Sequence, residues 1–447
     1  MSFRSSSSVS ITGSTAYTGT KPTGSVAGDR LIAFLSWDAS GAVATAPAGW
    51  THLLSAITNA PDSQSYGLFE YRSSPGSESY AFTVPGAASG IIQVYAFTGR
   101  DSAFSAVLAC SANESAAGVA SPFSTTNGAV ELEQGDDVLV LTALDQTVQT
   151  DTWSFTGPGG YTERQDVANS DWTTMSGYTL DNATAGSSGS LATTATRSAG
   201  TGNADYVSVV LRLRPAGSVT GRAQIFVSSH LMAAFAVTTL THGPTDTTAS
   251  GSTFIIICPS GSLSTVTDNK GNTYTRIAQQ ALTNSTLEVW SCVNGVGGAG
   301  HTWTTTYSTS ASRSVSVHEL RTAGAYDSAS KVTGTDSTSP YSVTSNTLAN
   351  PESIAFLMME GDTNNGKHDF TAPSGWMTHA RQSGTATSSV GVMSVLTAVK
   401  SVVGTAALSP SVTGLTSLQT GLAIFAFNDP VPVVGVSYSP MYSNEYF

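Results

Sequence analysis

Short apolar runs alternate with polar turn clusters along the whole chain. Alternation is clearest in Tyr66-Gly67-Leu68-Phe69-Glu70-Tyr71, where one face is aromatic and apolar, the period of a half-buried strand. Most runs are rich in β-branched and aromatic residues. They are separated by turn formers such as Asn59-Ala60-Pro61-Asp62, Ser74-Pro75-Gly76 and Pro85-Gly86. In the first hundred residues this predicts strands over 30–37, 51–58, 65–72, 79–84 and 91–98. Helical spacing surfaces only weakly at Leu231 to Val237, and Thr238-Thr239 there favours β structure. The pattern predicts an all-β protein of the sandwich or barrel kind.

A larger pattern is written four times. Apolar runs open at Gly28-Asp29-Arg30-Leu31, Gly135-Asp136-Asp137-Val138, Gly251-Ser252-Thr253-Phe254 and Pro351-Glu352-Ser353-Ile354. A glycine-aromatic turn follows in each: Pro47-Ala48-Gly49-Trp50, Pro158-Gly159-Gly160-Tyr161, Gly271-Asn272-Thr273-Tyr274 and Pro373-Ser374-Gly375-Trp376. Each repeat closes on another apolar run, ending near Phe97, Leu211, Leu320 and Phe427. The steps between openings are 107, 116 and 100 residues, each the size of a small β-sandwich. The expectation is four tandem antiparallel β-sandwich modules, Ig-like or jelly-roll-like, in two double-module halves parted at Pro215-Ala216-Gly217-Ser218. The expected boundaries are 1–103 for an N-terminal arm with module one, 104–215 for module two, 216–328 for module three, 329–430 for module four, and 431–447 for an extended C-terminal arm. An array of similar modules mainly presents surface, which lowers the odds of a single buried active site.

Composition narrows the function classes. Only 11% of residues are charged, the net charge is −12, and the 18 Lys and Arg are nowhere concentrated. Sequence-independent nucleic-acid binding needs a clustered basic surface, so no nucleic-acid partner is expected. The 40% apolar content argues against disorder. No run approaches the roughly 20 apolar residues of a membrane span, and no membrane insertion is expected. Met1-Ser2-Phe3-Arg4 and the serines after it lack the apolar core of a secretory signal, so synthesis without general secretory export is expected.

Candidate chemistry is sparse. The three cysteines, Cys110, Cys258 and Cys292, show no Cys-x-x-Cys spacing, so neither a zinc site nor a redox pair is indicated. Cys258 and Cys292 share a module and are either a disulfide or two buried thiols. Neither a G-x-S-x-G elbow nor an H-E-x-x-H motif occurs. His318 and Glu319 are adjacent on a strand and point to opposite faces. His301, Asp268 and Glu319 read as surface polar residues. Asp38, Glu70, Asp151 and Glu163 occupy unrelated repeat positions, unlike the paired carboxylates of a glycosidase. Asp268-Asn269-Lys270-Gly271-Asn272 reads as a tight turn, since Lys270 interrupts any calcium-ligand series. No catalytic, cofactor or metal residues are expected. Trp50, Tyr161, Tyr274 and Trp376 recur at one repeat position and are expected to plug the cores. Trp37, Trp153, Trp172, Trp290 and Trp303 do not share one position and are candidates for specialised surfaces. In the tail, Val433, Val434, Val436, Tyr438, Met441, Tyr442, Tyr446 and Phe447 form an apolar series with Pro432 and Pro440. It reads as an extended arm that docks on another polypeptide, against the plainer reading of a frayed end.

Lys21-Pro22-Thr23-Gly24 through Gly28-Asp29-Arg30-Leu31-Ile32-Ala33, followed by Ala46-Pro47-Ala48-Gly49-Trp50, resembles β-sandwich modules of tailed-bacteriophage structural proteins. Pro373-Ser374-Gly375-Trp376 and Asp268 through Thr275 look like variants of the same module. The resemblance covers the strand framework of all four copies, roughly residues 20–430. It departs most in the second, where Gly160-Tyr161 replaces Gly-Trp. It implies a non-enzymatic structural protein on the virion surface, made in the host cytoplasm. Its place would be capsid decoration, fibre or tail accessory protein, with other virion proteins as partners. A homo-oligomer and contact with a host surface glycan are further expectations. The rival readings are a carbohydrate-binding bacterial adhesin and, behind it, a polysaccharide-degrading tailspike.

Overall fold

The computed structural model describes residues 3–428 with short interruptions, the longest at 214–225. All 28 described elements are strands, and pairing is mostly antiparallel. Repeat one holds β1 (Phe3–Thr20), β2 (Arg30–Asp38), β3 (Trp50–Ile57), β4 (Gln64–Tyr71) and β5 (Ser79–Phe97). Repeat two holds β6 (Val107–Glu114), β7 (Phe123–Asn127), β8 (Glu131–Leu132), β9 (Asp137–Gln146), β10 (Thr152–Thr156), β11 (Thr162–Ala168), β12 (Thr173–Leu180), β13 (Gly186–Ser187), β14 (Leu191–Ala199) and β15 (Ala204–Leu213). Repeat three holds β16 (Phe226–Thr245), β17 (Ser250–Cys258), β18 (Leu263–Asp268), β19 (Thr275–Ala281), β20 (Thr286–Val296) and β21 (His301–Leu320). Repeat four holds β22 (Tyr326–Asp336), β23 (Tyr341–Ser342), β24 (Glu352–Thr363), β25 (Met377–Ser383), β26 (Val392–Val403), β27 (Ser411–Val412) and β28 (Gln419–Asn428).

One five-strand order recurs in every repeat: β1-β5-β2-β4-β3, β6-β15-β9-β12-β11, β16-β21-β17-β20-β19 and β22-β28-β24-β26-β25. Each begins with the first strand of its repeat, holds the strand of the opening apolar run at its centre and ends with the strand after the glycine-aromatic turn. That last strand carries the same bulge each time, between His52 and Leu54, Glu163 and Gln165, Arg276 and Ala278, and Thr378 and Ala380. A bulge twists a strand and ends flat pairing. Its recurrence shows that the weak sequence repeat is a repeat of geometry.

The five-strand units do not stand alone. β3 of repeat one pairs in parallel with β16 of repeat three, Leu54 opposite Leu231. β25 of repeat four pairs in parallel with β6 of repeat two, Ala380 opposite Cys110. Repeats one and three therefore share one 11-stranded sheet, and repeats two and four share one 10-stranded sheet. Two cores lie between these sheets. One joins Phe34, Tyr66, Leu68 and Tyr95 of repeat one to Leu139, Leu141, Met175 and Val209 of repeat two. The other joins Ile255, Ile257 and Val289 to Phe356, Met358 and Phe425. Four further cores lie on the outer faces, one per repeat. In repeat two the outer layer is the small sheet β10-β14-β7.

In repeats one and three the outer layer is made by the long strands themselves. The strands expected over 79–84 and 91–98, parted by a Pro85-Gly86 turn, form the single strand β5, which ends at Phe97. The chain bends rather than turns there. Gly86 takes φ 75°, and the β1–β5 register shifts near Ser14. β21 is likewise one long strand.

The exposed surface measures the consequence. The chain exposes 16400 Å². A single compact body of this mass exposes about 16,000 Å², whereas four separate modules would expose about 23,000 Å². The repeats behave as one body by this measure.

Repeats one and two pack tightly at Gly177. A Cβ there would sit 2.0 Å from the Tyr95 hydroxyl. That ring is held by its own bond to Gln93 Oε1 at 2.6 Å, and Gln93 Nε2 reaches the Met175 carbonyl at 3.3 Å. Gly177→Ala is expected to cost about 1–3 kcal/mol by overpacking. A lowered urea midpoint with an unchanged slope checks it.

Candidate functional site

The glycine-aromatic position recurs in every repeat, and in repeats one, two and four the turn that makes it is local. The Trp50, Tyr161 and Trp376 amides donate to the carbonyls of Pro47, Pro158 and Pro373 at 3.3, 3.1 and 3.0 Å. Gly49 and Gly160 take φ 86° and 84°, the third position of a type II turn, which glycine enters without strain. The turn drops the next ring into the outer core. Trp50 is 5% exposed and packs against Tyr71, Tyr80 and Phe82 at centroid distances of 5.1 to 5.3 Å. Trp376 and Tyr274 are buried likewise, while Tyr161 is half-buried against the outer core of repeat two.

The Gly-Asp motif has a second use. Gly28, Gly135 and Gly251 have φ 83–90°, and the next residue ties the apolar run to a neighbour. Asp29 pairs with Arg4 at 2.7 Å, Asp136 with Arg212 at 2.5 Å, and Ser252 donates to Glu319 Oε1 at 2.6 Å. The position persists while its chemistry changes.

Repeat three departs from the pattern and gathers a dense polar cluster. The proline turn is replaced by Asp268, whose Oδ1 accepts the Lys270 and Asn272 amides, both at 3.0 Å. Its Oδ2 accepts Asn272 Nδ2 at 2.6 Å, Tyr274 Oη at 2.7 Å and His301 Nε2 at 2.9 Å. Trp303 Nε1 in turn donates to Tyr274 Oη at 2.7 Å. Burial alone would raise the Asp268 pKa, but the donors from Asn272, Tyr274 and His301 outweigh it and bring it to about 2. Asp268 is thus an anion at neutral pH and accepts only, so His301 Nε2 carries a proton. Burial lowers the His301 pKa against the pull of Asp268. The ring is therefore neutral, and Nδ1 accepts from Thr247 Oγ1 at 3.0 Å.

Carboxylate, imidazole and hydroxyl stand in line, the order used to activate a nucleophile. The surroundings give the line a different job. His301 is 0% exposed, stacked on Trp303 at 3.9 Å and edge-on to Phe254 at 4.9 Å. Thr247 Oγ1 already accepts the Gly298 amide at 3.0 Å. The cluster clamps three segments, near Thr247, over 268–274 and over 298–303. Asp268→Ala would strand several buried donors. It is expected to cost about 3 kcal/mol, read as a shift of the urea midpoint at pH 7.

The surface reading of His301, Asp268 and Glu319 is corrected by their burial; Glu319 lies apart, bonded to Ser252. His318 does face away from Glu319, towards Phe356 of repeat four at 6.0 Å. Trp37, Trp153 and Trp303 are buried in the cores rather than displayed, and Trp290 is half-buried, donating to Glu288 Oε2 at 3.0 Å. Trp172 and the arm residues Val433, Val434, Val436, Tyr438, Met441, Tyr442, Tyr446 and Phe447 lie outside the described residues. Asp38, Glu70 and Glu163 lie on β2, β4 and β11, and Asp151 lies just before β10. Cys258 and Cys292 are free, buried thiols, and burial raises both pKa values. Among the described residues no group of three or more His, Cys, Asp or Glu is placed to hold a metal ion. Comparison with family models, with curated proteins and with solved structures finds no match.

Proposed function

We propose that this chain is a non-enzymatic structural protein exposed on the surface of a tailed-bacteriophage particle, as a capsid decoration or a fibre or tail accessory protein. One observation carries the reading: the four repeats share two sheets, so the chain is a braced block rather than a string of beads. Such a block suits a load-carrying platform. Its outer layers are stitched by exposed hydroxyl pairs: Ser124 with Thr194 and Thr152 with Ser198 across strands at 2.8 Å, and Thr344 with Ser409 between the segments flanking β23 and β27 at 3.0 Å. These give a low-charge polar surface. Other virion proteins are its proposed partners, and contact with a host glycan is part of the same proposal. Among the described tryptophans Trp37, Trp50, Trp153, Trp303 and Trp376 are buried and Trp290 is half-buried, which favours a structural role over a dedicated sugar-binding adhesin.

Antibodies raised against the purified chain should label intact tailed particles released from the source cells. Unlabelled particles, with the protein left in the particle-free supernatant, would reject the proposal. Polysaccharide turnover by the pure chain, abolished by one carboxylate substitution, would reject its non-enzymatic part.

A further inference from the structure

Repeats one and two pack face to face as one pair, and repeats three and four as a second. The pairs meet head to tail. The first pair presents β3 and β6 at the join, and the second presents β16 and β25. Strand order makes β1 and β11, at the far end of the first pair, the counterparts of β16 and β25. By the same order β19 and β22, at the far end of the second pair, are the counterparts of β3 and β6. Each end of the chain therefore carries the half-join that the other end lacks.

We propose that the protein associates head to tail with further copies of itself, β19 of one chain pairing in parallel with β1 of the next, as β3 pairs with β16 inside the chain. The register follows from the repeats. Phe3 opposes Phe97 as Phe226 opposes Leu320, which sets Ser8 and Val9 where Leu231 and Met232 stand. The shared bulge sets Ala278 and Gln279 where Leu54 and Ser55 stand. Leu54 and Ser55 lie opposite Leu231 and Met232. Ala278 is thus placed beside Ser8 of the next chain, and Gln279 beside Val9.

The two edges suit this use. Proteins guard an exposed edge with charges, proline or bulges. Ser5 to Ser10 carries none of these. β19 has the bulge before Ala278, but β3 has the same bulge before Leu54 and still pairs there with β16; the one charge on β19, Arg276, is tied to Glu288 at 3.3 Å. The ends of the other sheet are guarded. β11 bears Glu163, Arg164 and Asp166, and β22 breaks register between Asp327 and Val332. The contact between chains is made by one sheet where the internal join uses two, so it is weaker and reversible. A heterologous contact of this kind builds rings if it closes and filaments if it does not. The inference rests on strand order and stands apart from the particle reading.

Sedimentation velocity of the full chain should show species larger than a dimer growing with concentration. Facing residues on adjacent strands lie about 4.8 Å apart, within the span of a disulfide. Mild oxidation of the Val9→Cys, Gln279→Cys double variant should therefore give a reducible ladder of multimers. The two single variants, mixed, should give a cross-linked dimer and stop there, which serves if the double variant folds poorly. A single monomeric species at every concentration with no ladder would overturn the proposal. So would a product that stops at dimer in the double variant, since that is two-fold rather than head-to-tail pairing.

Discussion

Acidification is expected to destabilise the protein through His318, beginning near pH 6.5. The ring is fully buried between repeats three and four, bonded to Ser316 Oγ at 3.0 Å, and burial lowers its pKa from 6.5 to about 3. The unfolded chain takes up a proton as the pH falls through 6.5, whereas the folded chain stays neutral until about pH 3. Folding stability supplied by the neutral ring is therefore intact above 6.5 and lost progressively down to about 3. One pKa unit corresponds to about 1.4 kcal/mol, so the full loss approaches 5 kcal/mol. His301 acts with the same sign. Asp166, raised to about 6 by burial and then by Glu163, acts with the opposite sign between about pH 6 and 4. The clean readout is therefore a difference: urea unfolding of wild type and His318→Gln at pH 7 and pH 4.5. The gap between them should move in the variant's favour by about 2–3 kcal/mol at the lower pH. A gap that does not change with pH would mean that His318 is not held neutral.

Trp50→Ala is expected to cost about 3–5 kcal/mol, the range for emptying a fully packed aromatic site. Three rings contact Trp50, and none can follow it inward, because Tyr71, Tyr80 and Phe82 are themselves fixed on paired strands. Tyr161→Ala, at the same repeat position but half-buried, should cost distinctly less. Equal losses would show that the turn, rather than the ring, carries the stability. Urea unfolding followed by tryptophan fluorescence reads both.

The strands were legible because their pattern is local. Arg30 to Trp37 alternates with its turns and forms β2, and the glycine-aromatic position places a buried ring in three of four repeats. Strand order and the joins between distant repeats were not legible. Parallel pairing of Leu54 with Leu231 uses backbone groups that every residue carries, so no side-chain signature marks it. The Asp268 cluster was half legible. Asp268 to Asn272 announces a turn, but His301 lies far along the chain and shows no periodicity. Its burial follows from Trp303 and Phe254 closing over it. Pro85-Gly86 misled because a turn signal and a bend within one strand use the same residues.

The central claim is that two sheets running through all four repeats make one rigid block. Small-angle X-ray scattering of the full chain under dilute conditions tests it directly. A single compact body of this length has a radius of gyration of about 22 Å, and a value in the low to mid twenties, with a compact pair-distance distribution, is the predicted result. A radius near about 40 Å with an extended, multi-peaked distribution, as four modules of about 13 Å strung in line would give, would contradict it.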